Sequence, residues 1–198
     1  VQTCALPISW RRTGEIDRMT VAEGIDAKFS PEVILGDRMV MSTTLDAPNG
    51  RLVTVDLEHP SQDRWTPLAA ERDDAVLQGA SYARGVMVLT YEQDASTRIE
   101  RMSLSGERFA PIELPGLGSA GIATNPDSTQ AFVSYTSYNE PRTIYTCDVV
   151  EGTLGDIWAR PEVPVDPSSV VVRRMHATSK DGTQVPMFVV HRKDLEPG

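Results

Sequence analysis

Short runs in which apolar and polar residues alternate fill most of this chain, and that period of two predicts half-buried β-strands. The runs come in sets. The first set occupies residues 38–43, 51–56 and 64–68, and the second 85–91, 98–104 and 108–112. The third occupies 130–136 and 142–148, with a weaker strand near 154–158. Arg51, Arg98 and Arg142 lead the second strands at spacings of 47 and 44, while first strands starting at 39, 86 and 131 repeat at 47 and 45. Ahead of the last two sets lie Val76-Leu77-Gln78-Gly79-Ala80-Ser81-Tyr82 and Ser119-Ala120-Gly121-Ile122-Ala123, whose small residues suit strands close to a central axis. Tight turns follow each, at Ala83-Arg84-Gly85 and Asn125-Pro126-Asp127-Ser128. Four strands per ~45 residues is the repeat of a β-propeller blade, so the sequence predicts a nearly all-β chain with about three four-stranded blades. A flat sandwich of hairpins explains short strands but not a held period. Helical periodicity is almost absent, its best candidate being a short turn near 69–74.

The repeat stops at Val163. Pro161, Pro164 and Pro167 mark 164–172 as a connection, and the blades are assigned to 9–163. Two apolar-rich strands then flank Ser179-Lys180-Asp181-Gly182, which predicts a hairpin opening a separate body over 173–198. At the other end, Val1-Gln2-Thr3-Cys4-Ala5-Leu6-Pro7-Ile8 resembles the conceptual translation of a sequencing-library adapter. Arg11 and Arg12 follow its apolar residues, the reverse of a signal peptide, and residues 1–8 are set outside the fold. Both ends read as cut.

Composition narrows the function. With 198 residues, 40% of them apolar and 24% charged, the chain is globular in character. No apolar run approaches the ~18–20 residues of a membrane-spanning helix. A net charge of −9 argues against binding nucleic-acid backbone. The skew of 16 arginines against Lys28, Lys180 and Lys193 reflects base composition of the genome. Cys4 and Cys147 make no disulfide framework, no Cys/His cluster has zinc spacing, and no metal or cofactor is expected.

Few residues imitate a catalytic group. Gly79-Ala80-Ser81-Tyr82-Ala83 falls one residue short of the nucleophile-elbow pattern and leads into a strand, so Ser81 reads as an inner-strand serine. Gly118-Ser119-Ala120-Gly121 fails on spacing. His59 sits in a turn beside Pro60, and the spacing of His176 and His191 suggests cross-strand neighbours in the hairpin. Asp56-Leu57-Glu58 and Glu71-Arg72-Asp73-Asp74 lack the ligand pattern of a calcium loop and read as solvated charge. Cys147, Trp65, Trp158 and the tyrosines are expected in the blade core or between blades.

Three stretches carry a resemblance. Ala47-Pro48-Asn49-Gly50-Arg51-Leu52-Val53-Thr54-Val55-Asp56, Ile144-Tyr145-Thr146-Cys147-Asp148, and Ser179-Lys180-Asp181-Gly182-Thr183-Gln184-Val185-Pro186-Met187-Phe188-Val189-Val190-His191 together resemble the prolyl oligopeptidase family of serine peptidases. They stand in that family's order, and the third marks the start of its hydrolase domain. The resemblance implies the last blades of a seven-bladed propeller inserted in an α/β-hydrolase, followed by that domain's first hairpin. It implies a Ser-Asp-His triad, expected beyond Gly198, so no catalytic residue is assigned within the chain. It further implies short proline-containing peptides as substrates and a monomeric parent. An acidic chain without a visible export signal points to the cytoplasm, the periplasm remaining open. A stand-alone propeller that binds a partner, or a propeller peptidase of other specificity, are the alternatives.

Overall fold

The computed structural model describes residues 7–14, 17–164 and 166–195, and these form sixteen strands in five antiparallel sheets. A short pair, β1 (Ile8–Trp10) and β2 (Met19–Ala22), comes first. Blade 1 follows as β3 (Phe29–Leu35), β4 (Arg38–Thr43), β5 (Arg51–Asp56) and β6 (Thr66–Ala69). Blade 2 comprises β7 (Val76–Ala83), β8 (Val86–Gln93), β9 (Ser96–Ser103) and β10 (Arg108–Ile112). Blade 3 comprises β11 (Ser119–Ala123), β12 (Gln130–Thr136), β13 (Thr143–Asp148) and β14 (Thr153–Ala159). Within each blade the strands pair in chain order. The expected repeat of four-stranded blades is therefore present.

Alternate residues of a single strand enter different cores, and this separates stacked blades from a two-layer sandwich. On β8, Met87, Leu89 and Tyr91 join Val40, Leu52 and Ala69 of blade 1, while Val86 and Val88 join Ala131, Val133 and Cys147 of blade 3. A strand buried on both faces must read as a continuous apolar run, as Val86-Met87-Val88-Leu89 does. The far face of blade 1 buries Met39, Met41, Val53 and Val55 beneath Val21 of β2. Each such side chain contributes roughly 1.5–3 kcal/mol, which makes the faces between blades the main stabilising layers.

Several elements depart from the sequence reading. Strand β3 was hidden in the pattern because Pro31 breaks its alternation; a register shift between Pro31 and Val33 absorbs the break. No helix forms at 69–74, where the chain leaves β6 and crosses to blade 2. The helical pieces among the described residues are 3-10 turns at Gln62–Arg64 and Pro167–Ser169. Ile8, set outside the fold with the rest of 1–8, pairs with Ala22 in β1, whereas residues 1–6 lie outside the described residues.

The final sheet holds β15 (Val170–Thr178) and β16 (Gln184–Arg192). β15 begins inside the stretch read as a connection. Its turn spans five residues, with Gly182 at a φ of 87° and Asp181 accepting the Thr183 N–H at 3.0 Å. No strand of this sheet pairs with a blade.

Candidate functional site

The site begins at two turns on one end of the blades. In blade 2, Gln93 pairs with Ser96 across a two-residue turn whose Asp94 and Ala95 have φ of 48° and 56°. Both lie in the left-handed region that a tight hairpin of this kind requires. The conformation carries the Asp94 carboxylate outward. In blade 3, the turn after β12 is braced from within. The Ser137 N–H donates to the Glu140 carbonyl at 3.0 Å, and the Tyr145 hydroxyl donates to Glu140 Oε1 at 2.6 Å. Burial, then the Glu140 carboxylate, pushes the Tyr145 phenol up to about 12. The Ser137 hydroxyl donates to Asn139 Oδ1 at 2.8 Å, leaving the Asn139 amide N–H groups for other acceptors.

Those acceptors belong to the segment that enters the last hairpin. Asn139 Nδ2 lies 3.5 Å from the Pro167 carbonyl oxygen and 3.4 Å from that of Val170. Asp166 caps the intervening 3-10 turn, accepting from the Ser168 N–H at 2.9 Å and its hydroxyl at 2.8 Å. The Ser168 N–H, followed by its hydroxyl, holds the Asp166 carboxyl below the ordinary aspartate range. The Lys193 N–H closes the unit on the Ser169 carbonyl at 2.8 Å. Arg174 of β15 then reaches Asp94 at 3.7 Å, and Phe188 of β16 meets the Tyr138 ring with centroids 5.1 Å apart. The hairpin thus seats on the second-to-third strand turns of blades 2 and 3. A cleft of about 340 Å³ lies under Arg174, lined by Thr97, Arg98, Glu113 and Leu117 among others. The equivalent turn of blade 1, Pro48 to Gly50, borders a wider open cleft of about 1020 Å³ with Lys28, Leu77 and Gln78.

The residues singled out in the sequence are scattered. Ser81 lies in β7 with its hydroxyl buried and unbonded, followed by a turn and a strand. Ser119 opens β11 and is exposed. His59 is exposed, with Nδ1 3.4 Å from Asp56 Oδ2; together with Glu58 they form a solvent-facing group. His176 and His191 are not cross-strand neighbours: they oppose Pro186 and Val171, because the five-residue turn offsets them. Glu71 and Arg72 are not simply solvated. Glu71 accepts the Asn49 N–H at 2.6 Å, and Arg72 forks onto Asp74 at 2.9 and 2.8 Å while also bonding Glu100. That network joins blade 1 to blade 2. Cys147 is buried, and burial pushes its thiol up to about 11. Trp65 is half-buried and donates to the Pro60 carbonyl at 2.9 Å, but Trp158 is 64% exposed, against the expectation of core packing. Tyr138, expected with the other tyrosines in the blade core or between blades, is 65% exposed in the turn after β12, and Asp94, Asn139, Arg174 and Phe188 were given no role, since single polar or aromatic residues carry no spacing signal.

The stacked blades have known counterparts. Residues 11–157 match the model of the prolyl oligopeptidase N-terminal β-propeller domain. A prolyl endopeptidase of Elizabethkingia meningoseptica is 28% identical over 181 residues, which are 91% of this chain and 25% of the relative. A structure from a study of inter-domain dynamics in two prolyl endopeptidases superposes with a TM-score of 0.86 at 34% identity, over 98% of this chain and 28% of that one. Prolyl oligopeptidase B from Galerina marginata gives a TM-score of 0.82 at 25% identity, over 94% of this chain and 27% of that one. The Galerina protein has also been solved bound to a 25mer macrocyclization substrate. The chain spans about a quarter of the length of these relatives. With stacked four-stranded blades and a family match across most of its length, the chain belongs to the prolyl oligopeptidase family, and its residues 11–157 to the N-terminal β-propeller domain of that family.

Proposed function

We propose that this chain is the closing part of the propeller of a serine peptidase that cleaves short peptides after proline. One relative is named a prolyl endopeptidase, and another, prolyl oligopeptidase B, has been solved with a 25mer macrocyclization substrate. The observation that carries the reading is the change of architecture after β14, where a two-stranded sheet crosses the ends of two blades. In this reading β15 and β16 begin the hydrolase domain, the Ser, Asp and His of the triad follow Gly198, and the cytoplasm is the compartment. The blades act sterically. They screen peptides by size on the way to the triad, and domain separation hinges around residues 161–172.

The test is an assay of the full-length parent enzyme with Gly-Pro, Arg-Arg and Xaa-Pro reporter peptides, alongside a proline-containing pentapeptide and a folded protein. Turnover of the Gly-Pro reporter and the pentapeptide, with the folded protein left intact, is expected. Preference for Arg-Arg, or for release of Xaa-Pro dipeptides, defeats the proposed specificity. Equal hydrolysis of the folded protein defeats the size filter. The 198-residue chain alone is expected to show no turnover.

A further inference from the structure

We propose that Arg174 and Phe188 form a two-point seat that ties the hairpin to the spacing between blades 2 and 3. The two residues are direct cross-strand partners, so their side chains leave the same face of the hairpin side by side. They go to different blades. Arg174 meets Asp94 at 3.7 Å and its carbonyl at 3.5 Å in the turn of blade 2, whereas Phe188 meets Tyr138 in the turn of blade 3. The opposite face carries Met175 and Met187, 52% and 41% exposed. Cross-strand partners are held about 5 Å apart by the β-ladder. If the two turns moved apart, the rung could not follow both, and one contact would have to break. The seat therefore fits one spacing of the blades and releases outside it.

Both contacts are built to release. The Arg174 and Asp94 side chains are 29% and 44% exposed, and an ion pair in that setting is weak. Tyr138 is 65% exposed, so its ring contact buries little surface. The seat rests on the proposed peptidase reading only for its use there, as a hold on the closed arrangement of domains.

Amide hydrogen exchange on the 198-residue chain tests the seat without any catalysis, so its failure is distinct from an inactive parent. Asp94→Asn keeps a residue type that tolerates the left-handed turn, and Arg174→Met removes the other partner. Each variant is expected to speed exchange in β15 and β16 by about threefold, the scale of one exposed ion pair. Exchange in residues 137–142 of blade 3 should rise in step, with blade 1 unchanged. A purely local contact would leave 137–142 at the wild-type rate. That result, or a hairpin that exchanges at the wild-type rate in both variants, overturns the seat.

Discussion

Arg101 shows how much one side chain can join. It is 5% exposed, and its guanidinium donates to the carbonyls of Ala110 at 2.9 Å, Val149 at 2.9 Å and Val150 at 2.6 Å. The Phe109 ring lies 5.7 Å beneath it. One carbonyl belongs to its own blade and two to the turn after β13, so the fork pins blade 3 to blade 2. Gly152 is needed beside it: its φ is 76°, and an added Cβ would fall on the guanidinium. The planar guanidinium spreads its donors over three nitrogens and so reaches three separated carbonyls, whereas an ammonium donates from a single nitrogen. Arg101→Met is expected to lower unfolding stability by about 2–4 kcal/mol, since one buried and two part-buried carbonyls lose a charged donor, and Arg101→Lys to recover only part of it. Urea denaturation midpoints measure both. A midpoint unchanged in Arg101→Met would remove the fork from the account of blade joining.

At the scale of elements, the turns share one electrostatic device. Asp148 accepts the N–H groups of Val150 and Glu151 at 2.9 Å each and the Thr129 hydroxyl at 2.8 Å. The Glu151 N–H, then the Thr129 hydroxyl, hold its carboxyl below the ordinary range; turn N–H groups lower Asp56, Asp166 and Asp181 likewise, whereas Asp74 is lowered by Arg72. A depressed carboxyl stabilises the fold above its unfolded value of about 3.9, and that contribution is lost as pH falls through the lower folded value. Glu32 runs opposite: burial raises it, so its contribution is present at low pH and lost as pH climbs through the raised value. With five such aspartates against one glutamate, the fold is expected to lose stability as pH falls below ~4, and Asp148→Asn should flatten that limb of a pH series of thermal melts. An unaltered slope in Asp148→Asn would take the turn after β13 out of the acid response. These turns and strands were legible in sequence to different degrees. Strands such as β8 and β9 declared themselves through apolar runs and the repeating arginines. β3 did not, because Pro31 interrupts it, and neither did the Glu71–Arg72 link, because an acidic turn looks alike whether solvated or bridging. The seat of the hairpin was illegible for a further reason: it depends on which turns the fold brings beneath Arg174 and Phe188, and no local pattern encodes that.

For the whole molecule, the decisive feature is that blade 3 has one covered face and one open one. Val133 and Tyr135 point into the layer shared with blade 2, so Phe132 and, across the ladder, Ile144 point away from it. Phe132 meets Trp158 edge-on with centroids 5.4 Å apart, and Trp158 is 64% exposed on the outermost strand, β14. An apolar face beside an edge strand is a template for association, and in a closed ring of blades that face would be covered. The 198-residue chain is therefore expected to self-associate as its concentration rises, which sedimentation velocity would resolve. Trp158→Lys places a charge on that edge while removing little buried surface. It should reduce association with less than about 0.5 kcal/mol change in stability, as suits an exposed position. If Trp158→Lys associates as readily as the parent chain, the contact lies elsewhere. The open layer by β1 and β2 would then be the face to change, beginning with Ile34, 54% exposed on β3.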